Sequence, residues 1–261
     1  MSDSPQRVRI AAITPTLDWS HRHTTSNERF DLAVARDYVE KRVRDSLRLM
    51  DEAAALGAQL VLAPEYFRGS ELFITSAENK AGFVETADGP TVRQMRELSS
   101  RRGVYLAAAM DMRHGDAFVE TGVVTGPQGE LVGMQIKNTA LPEDSPLPRG
   151  YTLFDLAIGK TGMFTCSDLT THPEDPIALA KAGMQVVLVP GCGFAGELWR
   201  SYLTVRAADL SCVVVHADGA RAAIVDRKGI VLAEGHAPDA VTFADVVIEP
   251  KEPTDRLRSS L

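Results

Sequence analysis

The segment that decides the fold reads Lys160-Thr161-Gly162-Met163-Phe164-Thr165-Cys166-Ser167-Asp168. Its apolar run predicts a short buried strand that stops at Cys166, because Ser167 and Asp168 are poor continuations of such a strand. A helix-like stretch, 176–183, follows after a short connection. In open α/β sheets, ligands bind at the carboxyl ends of the strands. The pattern therefore predicts an α/β protein with a thiol at the functional edge of a sheet.

Two further apolar runs end at a charged residue in the same way. The run 59–64 ends at Glu65, and the run 131–136 ends at Lys137. A thiol becomes a nucleophile when a base or a nearby cation activates it. Glu65 is the candidate base, and Lys137 is the candidate cation that stabilises an oxyanion. With Cys166, these residues predict a covalent hydrolase.

Each of the three residues also has a purely structural interpretation. A free cysteine is among the most buried residue types and often only fills a core. A glutamate or a lysine after a strand is commonly a solvated surface residue. Position favours the functional interpretation, because Cys166 falls at the rim of a strand and Glu65 lies between Pro64 and Tyr66 in apolar company.

Length and charge narrow the classes of function. The 261 residues are enough for one large α/β domain or two small ones. The formal net charge of −7 argues against a nucleic-acid partner, because nucleic-acid-binding surfaces are usually basic. No segment has the ~20 consecutive apolar residues of a membrane helix. The first residues do not resemble a secretory signal, so we expect no membrane partner.

The cysteine content indicates the compartment. Cys166, Cys192 and Cys212 are too few for the disulfide framework of a small secreted protein. A cytoplasmic, reducing location is therefore expected. The sequence has no spacing typical of a metal site, and we expect neither a metal nor another cofactor.

Hydrophobic periodicity predicts one layered α/β domain at 1–250 and a polar tail at 251–261. A stripe of apolar residues predicts a helix that Gly57 terminates, and it comprises Val39, Val43, Leu47, Met50 and Ala54. We predict further helices at 91–102, 176–183 and 196–210. We predict strands at 8–13, 59–63, 104–110, 118–125, 131–136, 153–156, 161–165, 185–189, 211–216, 222–225, 230–233 and 241–248. Crossover helices together with hairpins indicate two sheets between helices.

The order Pro64-Glu65, Lys137 and Cys166-x-Asp168 resembles the nitrilase superfamily of carbon–nitrogen hydrolases. The resemblance covers nearly the whole chain. The flanking motifs also resemble those of the family, at 126–129, 150–154, 159–166, 173–174, 182–190 and 206–207.

The resemblance implies an α/β fold, a four-layer αββα sandwich of two mixed β-sheets flanked by helices. It also implies a Glu65–Lys137–Cys166 triad in which Cys166 attacks the substrate carbon after Glu65 takes its proton. Lys137 and the backbone N–H of Ser167 would hold the oxyanion, and a thioester would form and then be hydrolysed. The family works without a cofactor, and the resemblance implies a homodimer or a larger even-numbered homo-oligomer.

Further residues are candidates for a second acid and for substrate binding. Members of the family use a second glutamate in the loop after the lysine. Glu143 is the nearest match here, and Asp144 competes with it. The candidates for substrate contact are Tyr66, Arg68, Arg149, His172 and Cys192.

Departures from the family pattern bear on the substrate. Ser167-Asp168 stands where true nitrilases carry Trp-Glu, which favours the amidase and carbamoylase branches. Glu120-Thr121-Gly122 replaces the usual Asn-Thr-Ala, and Asp209 and Ala222 replace a usual glutamate and serine. The expected function is hydrolysis of a small linear amide or N-carbamoyl compound. Nitrile hydrolysis by the same triad is the alternative within the family.

Two hypotheses lie outside this interpretation. The turn Pro190-Gly191-Cys192-Gly193 is similar to the nucleophile elbow of class I glutamine amidotransferases, with His216 or His236 as the base. That hypothesis leaves Glu65 and Lys137 without a role. A non-catalytic binding subunit that retains the fold is the second hypothesis, and the intact triad argues against it.

Overall fold

Two six-stranded β-sheets form the centre of the structure. The structure is a computed structural model that describes residues 4–16, 30–69, 76–193, 196–251 and 253. Its strands are β1 (Gln6–Thr14), β2 (Leu60–Leu62), β3 (Tyr105–His114), β4 (Ala117–Thr125), β5 (Leu131–Ile136), β6 (Leu153–Leu156), β7 (Gly159–Met163), β8 (Val186–Pro190), β9 (Val213–Ala217), β10 (Ala222–Val225), β11 (Val231–Gly235) and β12 (Ala240–Ile248). Its helices are α1 (Leu32–Ala55), α2 (Ala77–Lys80), α3 (Pro90–Arg102), α4 (Asp168–Thr171), α5 (Glu174–Lys181) and α6 (Trp199–Leu210).

Both sheets mix parallel and antiparallel pairs. The first has the order β12-β1-β2-β3-β4-β5, and the second has the order β11-β10-β9-β8-β7-β6. In the first sheet β1, β2 and β3 run parallel, because α1 and α3 carry the chain back between them. Tight hairpins add β4 and β5 as antiparallel strands. In the second sheet β7, β8 and β9 are the parallel strands.

Three apolar interfaces divide the molecule into four layers. Helices α1 and α3 pack on the outer face of the first sheet, and α5 and α6 pack on the outer face of the second. The two inner faces pack against each other. Strand β1 shows why its sequence is continuously apolar: Ile10 faces the other sheet, whereas Ile13 faces the helices. The predicted αββα sandwich is confirmed.

Local sequence signals set the ends of the two long helices. Helix α1 begins after Asp31, whose carboxylate accepts hydrogen bonds from the N–H groups of Ala33 and Val34. It ends just before Gly57, which has φ +88°. Helix α3 begins with Pro90 and ends at Gly103, a left-handed cap with φ +68°. The predicted stripe on α1 is buried at Val39, Val43 and Met50 and is partly buried at Leu47 and Ala54.

Several predicted boundaries differ from the structure. The segment predicted as a helix at 196–210 begins as a 3-10 turn, Gly196–Leu198, and is α-helical only from Trp199. Helix α5 begins at Glu174 and contains Pro176 in its first turn, where a missing N–H breaks no helical hydrogen bond. The predicted tail 251–261 lies outside the described residues apart from Lys251 and Pro253. In the part of the chain that the structure describes, no helix is long and apolar enough to cross a membrane.

Candidate active site

The nucleophile candidate lies on a strained turn after β7. The N–H of Cys166 donates to the carbonyl of Pro190 at 2.8 Å, so the pairing with β8 continues up to the cysteine. Cys166 itself has φ +48°, a left-handed conformation that costs a residue with a Cβ about 1–2 kcal/mol. Helix α4 starts two residues later. The turn therefore stops the strand abruptly and fixes the thiol at its end.

Glu65 follows β2 and is almost fully buried, with 1% of its surface exposed. The N–H groups of Ala63 and Phe67 donate to carbonyls of β3 at 2.8 and 3.0 Å, so the backbone is fixed on both sides of the glutamate. Tyr66, between these anchors, has φ +58° and is half-buried. A carboxylate this deeply buried needs a partner of opposite charge.

Lys137 is that partner, and it binds two carboxylates. Its ammonium contacts Oε1 of Glu65, and it donates to Oε2 of Glu120 at 2.9 Å. Burial by itself lowers the pKa of Lys137, but the charges and hydrogen bonds of Glu120 and Glu65 outweigh it and raise the pKa above its ordinary value. The ammonium is therefore charged at neutral pH.

The thiol of Cys166 is protonated at neutral pH. Burial and then the negative charge of Glu65 raise the pKa of this thiol to about 12, while the carbonyl of Cys192 and the charge of Lys137 oppose them. The sulfur is 4.0 Å from that carbonyl oxygen. A hydrogen bond to the Glu65 side chain also raises the pKa of the thiol. Reaction at neutral pH therefore needs a base that removes the proton, and Glu65 lies next to the thiol.

Asp168 ties the loop after Lys137 to the loop after Cys166. Its buried carboxylate accepts hydrogen bonds from the N–H of Thr139 at 2.9 Å, the hydroxyl of Thr139 at 2.8 Å and the N–H of Asn138 at 3.3 Å. Burial raises the pKa of Asp168, and the bonds from Thr139 and Asn138 oppose that rise. The hydroxyl of Ser167 bonds the same threonine at 2.8 Å.

The sequence pattern predicts the three strand-end residues but neither of two contacts. Asp168 stands out in the sequence only as part of the motif Cys166-x-Asp168, and Glu120 only as a departure from the family pattern. The signal for Glu120 was available, because an acidic side chain in the apolar strand β4 requires a cation. Glu143, the predicted second acid, is exposed on the loop, as is its competitor Asp144.

The other predicted contact residues lie in different surroundings. Arg68 is buried, donates to the carbonyl of Phe83 at 2.7 Å and pairs with Glu85 at 2.9 Å. Arg149 donates to backbone carbonyls of its own loop, including that of Asn138 at 3.2 Å. Both arginines that were predicted to contact the substrate therefore bind other groups of the protein in the structure.

His172 is exposed at the end of α4, with Nδ1 3.5 Å from Glu174. Together with Asp175, these two residues could bring three ligand atoms within 4.8 Å of one another. Exposed groups of this kind are common without a bound ion, and the cluster is separate from the Lys137 contacts.

Cys192 lies beside Cys166, whose Sγ is 4.0 Å from the Cys192 carbonyl oxygen. Burial raises the pKa of Cys192 to about 12, and the charge of Glu65 and that of Cys166 are the next contributions. His216, a proposed base for the amidotransferase hypothesis, is buried on β9, where Nδ1 pairs with the carbonyl of Val189 at 2.9 Å. His236 is exposed and contacts Glu234 at 2.7 Å. The charges that act on Cys192 thus come from Glu65 and Cys166 of the proposed triad and from Asp218 and Glu120.

Comparison with known proteins places the chain in a family. The sequence profile of the family described as "Carbon-nitrogen hydrolase" matches residues 35–249. The chain is 30% identical over 155 residues to a nitrilase from Pyrococcus abyssi, a match that spans 58% of this chain and 58% of that protein. It is 28% identical over 224 residues to a deaminated glutathione amidase from Yersinia enterocolitica, which spans 74% of this chain and 76% of that protein.

A solved structure shows the same fold. The crystal structure of Saccharomyces cerevisiae Nit3, described as a member of branch 10 of the nitrilase superfamily, superposes with a TM-score of 0.72. The superposition covers 96% of this chain and 93% of that one, at 17% identity. Because the family profile matches residues 35–249, most of its length, the chain belongs to the carbon–nitrogen hydrolase family.

Proposed function

We propose that the protein hydrolyses the carbon–nitrogen bond of a small linear amide or N-carbamoyl compound through a thioester intermediate and releases ammonia. The observation that carries the proposal is the convergence of Glu65, Lys137 and Cys166 from three strand ends into one buried cluster. A protonated thiol beside a buried carboxylate and a fixed ammonium has the parts that acyl transfer needs.

Acylation begins with proton transfer from the Cys166 thiol to Glu65. The sulfur then bonds to the carbonyl carbon, and the negative charge moves to the carbonyl oxygen. The ammonium of Lys137 and the N–H of Ser167 stabilise that oxyanion. When the tetrahedral intermediate collapses, the carbon–nitrogen bond breaks. Glu65 returns its proton to the departing nitrogen, which leaves as ammonia.

Deacylation uses the same groups in reverse roles. Glu65, again a carboxylate, takes a proton from water as the water oxygen attacks the thioester carbon. The second tetrahedral intermediate expels the Cys166 sulfur, which receives the proton from Glu65. The acid product departs, and the enzyme returns to its resting state.

The residues after the nucleophile indicate which class of substrate the protein prefers. Ser167-Asp168 replaces the Trp-Glu that is typical of nitrilases. The Yersinia relative bears the name of an amidase, whereas the Pyrococcus relative bears that of a nitrilase. We therefore place amides and N-carbamoyl compounds first and nitriles second.

We also propose a single domain at 1–250, a homodimer or a larger even-numbered homo-oligomer, and a reducing, cytoplasmic compartment. The three cysteines are free, and the mechanism needs Cys166 as a thiol. Leu198 and Val205 expose 70% and 57% of their surfaces beside and on α6, which supports an apolar contact between subunits. Light scattering of the purified protein checks the oligomer.

The test compares wild type with Cys166→Ala and Cys192→Ala on a panel of small amides, N-carbamoyl compounds and nitriles. We expect wild type and Cys192→Ala to release ammonia and Cys166→Ala to release none. Rapid acid quenching followed by intact-protein mass should show an acyl adduct that is absent only in Cys166→Ala. Activity that survives in Cys166→Ala but disappears in Cys192→Ala would contradict the triad and favour the Cys192 hypothesis.

A further inference from the structure

Glu120 contacts Lys137 twice. Its backbone carbonyl accepts from the N–H of Lys137 at 2.9 Å, and its carboxylate accepts from the ammonium at 2.9 Å. The side chain of Glu120 is 8% exposed and that of Lys137 is 12% exposed, so water screens the pair only weakly. Glu120 belongs to the strand β4 and is therefore held rigidly.

The proposed mechanism of the triad implies a function for the carboxylate of Glu120. In the resting site, two carboxylates share one ammonium. When Glu65 takes the proton of Cys166, it becomes neutral and no longer attracts Lys137 as an ion. A buried ammonium that loses its counter-ion is strongly destabilised. Glu120 remains charged during that step and keeps the ammonium compensated.

We propose that Glu120 is the permanent counter-ion of Lys137, a positioning residue that holds the ammonium at the oxyanion while Glu65 is protonated. This inference rests on the proposed function of the triad. It assigns to β4 the second carboxylate that the family resemblance places in the loop after the lysine. The exposed position of Glu143 on that loop agrees with this assignment.

Removal of the Glu120 charge should lower turnover but raise the reactivity of the Cys166 thiol. The negative charge of Glu120 acts on the thiol beside Cys166, because it helps to raise the pKa of Cys192. Its removal should lower the pKa of the neighbouring Cys166 thiol as well and increase the thiolate fraction at a given pH. Turnover should nevertheless fall, since Lys137 then has only Glu65 as a counter-ion and loses it at the step in which Glu65 becomes protonated and the oxyanion forms.

The experiment uses Glu120→Gln, Glu120→Asp and Asp111→Asn, each in the full chain with Cys192→Ala, so that Cys166 is the one thiol left at the site. Asp111 is the matched control: it faces Glu120 in the register of β3 and β4, is equally buried at 7%, and pairs with Lys80 at 3.2 Å. The readouts are kcat and KM for ammonia release, the pH dependence of iodoacetamide labelling by intact mass, and the thermal melting curve.

We expect Glu120→Gln to lower kcat by about 100-fold, the size of effect produced by misplacing a reacting group by an ångström. KM should change little, and the labelling profile of Cys166 should move to lower pH. Glu120→Asp should keep the wild-type labelling profile and recover part of kcat, because it keeps the charge on a shorter side chain. Asp111→Asn should leave both readouts near their starting values.

Three results would overturn the inference. One is a Glu120→Gln variant with undiminished kcat, and another is a variant that loses kcat while its labelling profile stays in place, which would mark a structural role. The third is loss of activity in Glu143→Gln but not in Glu120→Gln. If the parent protein turns over no substrate, the proposed function fails, but the labelling profiles still decide whether Glu120 acts on the thiol.

Discussion

At the scale of single residues, the conformation of Cys166 is the feature that separates a nucleophile from a core cysteine. Its φ of +48° is unfavourable for any residue with a Cβ, and glycine would adopt it without strain. The chain nevertheless has cysteine there. Such strain persists only where the surrounding structure holds it, and it is typical of functional sites.

Two thiol-free variants should measure the strain at this turn. We expect Cys166→Gly to be more stable than Cys166→Ala by about 1 kcal/mol, because glycine avoids the left-handed penalty. Chemical denaturation of both variants gives the difference. At the next residue, Ser167 has φ −61°, and the order should reverse between Ser167→Ala and Ser167→Gly. A Cys166→Gly variant less stable than Cys166→Ala would refute a strained turn.

At the scale of elements, the connection between β9 and β10 shows how a buried carboxylate shapes a hairpin. Asp218 accepts hydrogen bonds from the N–H groups of Ala220 and Arg221 at 2.8 and 2.7 Å, and its other oxygen pairs with the Arg221 guanidinium. Burial alone raises the pKa of Asp218, but His216, Ala220 and Arg221 outweigh it and hold the pKa at about 2.

Because the pKa of Asp218 is lowered in the folded state, this residue makes the free energy of unfolding depend on pH. An unfolded aspartate titrates near pH ~3.9, so the contribution of Asp218 is fully present above that pH and is lost as the pH falls towards about 2. A shift of this size corresponds to about 2–3 kcal/mol.

Asp218→Asn should therefore lower the free energy of unfolding near neutral pH, and its deficit relative to wild type should shrink as the solution is acidified. Urea unfolding at a series of pH values measures both. Asp226→Asn is the matched control, because Asp226 also caps a hairpin turn but is only partly buried. A deficit for Asp218→Asn that stays constant down to the acid limit of the native state would count against this account.

The sequence could predict the strands and the three candidate residues Glu65, Lys137 and Cys166 because both depend on the same physical constraint. A strand covered on both faces must be apolar, so a charged residue marks its end, as at Glu65 and Lys137. The bounds of β5, β6 and β10 agree with the predicted 131–136, 153–156 and 222–225. Boundaries set by local turns, such as the 3-10 turn before α6, were less accurate.

The two missed contacts depend on register and on packing between segments that are distant in the chain. Glu120 and Lys137 are 17 residues apart, and Asn138 and Asp168 are 30 residues apart. No local pattern encodes which strand positions face each other across a hairpin or which loops meet at a sheet edge. Only an acidic residue within an apolar strand hints that a cation lies nearby.

At the scale of the whole molecule, the site is divided between the two sheets. Glu65, Glu120 and Lys137 come from the first sheet, and Cys166 and Asp168 come from the second. The distance between thiol and ammonium therefore depends on how closely the inner faces pack. Close-packed interiors transmit strain rather than absorb it, so a change in sheet spacing should reach the chemistry.

Gly122 on β4 packs directly against Met163 on β7, across the interface between the two sheets. A Cβ at this position would overlap Sδ of Met163, which is fully buried three residues before Cys166. We expect Gly122→Ala to cost about 1–3 kcal/mol of stability, as overpacking does, and to lower kcat by separating the sheets at the site.

Met163→Ala is the matched partner, because it removes the overlapped atoms. Denaturant unfolding and ammonia release across the double-mutant cycle should show the pair less impaired than the sum of its singles, with a coupling of about 1 kcal/mol or more. Additive losses in both readouts would show that the sheets do not set the distance between thiol and ammonium.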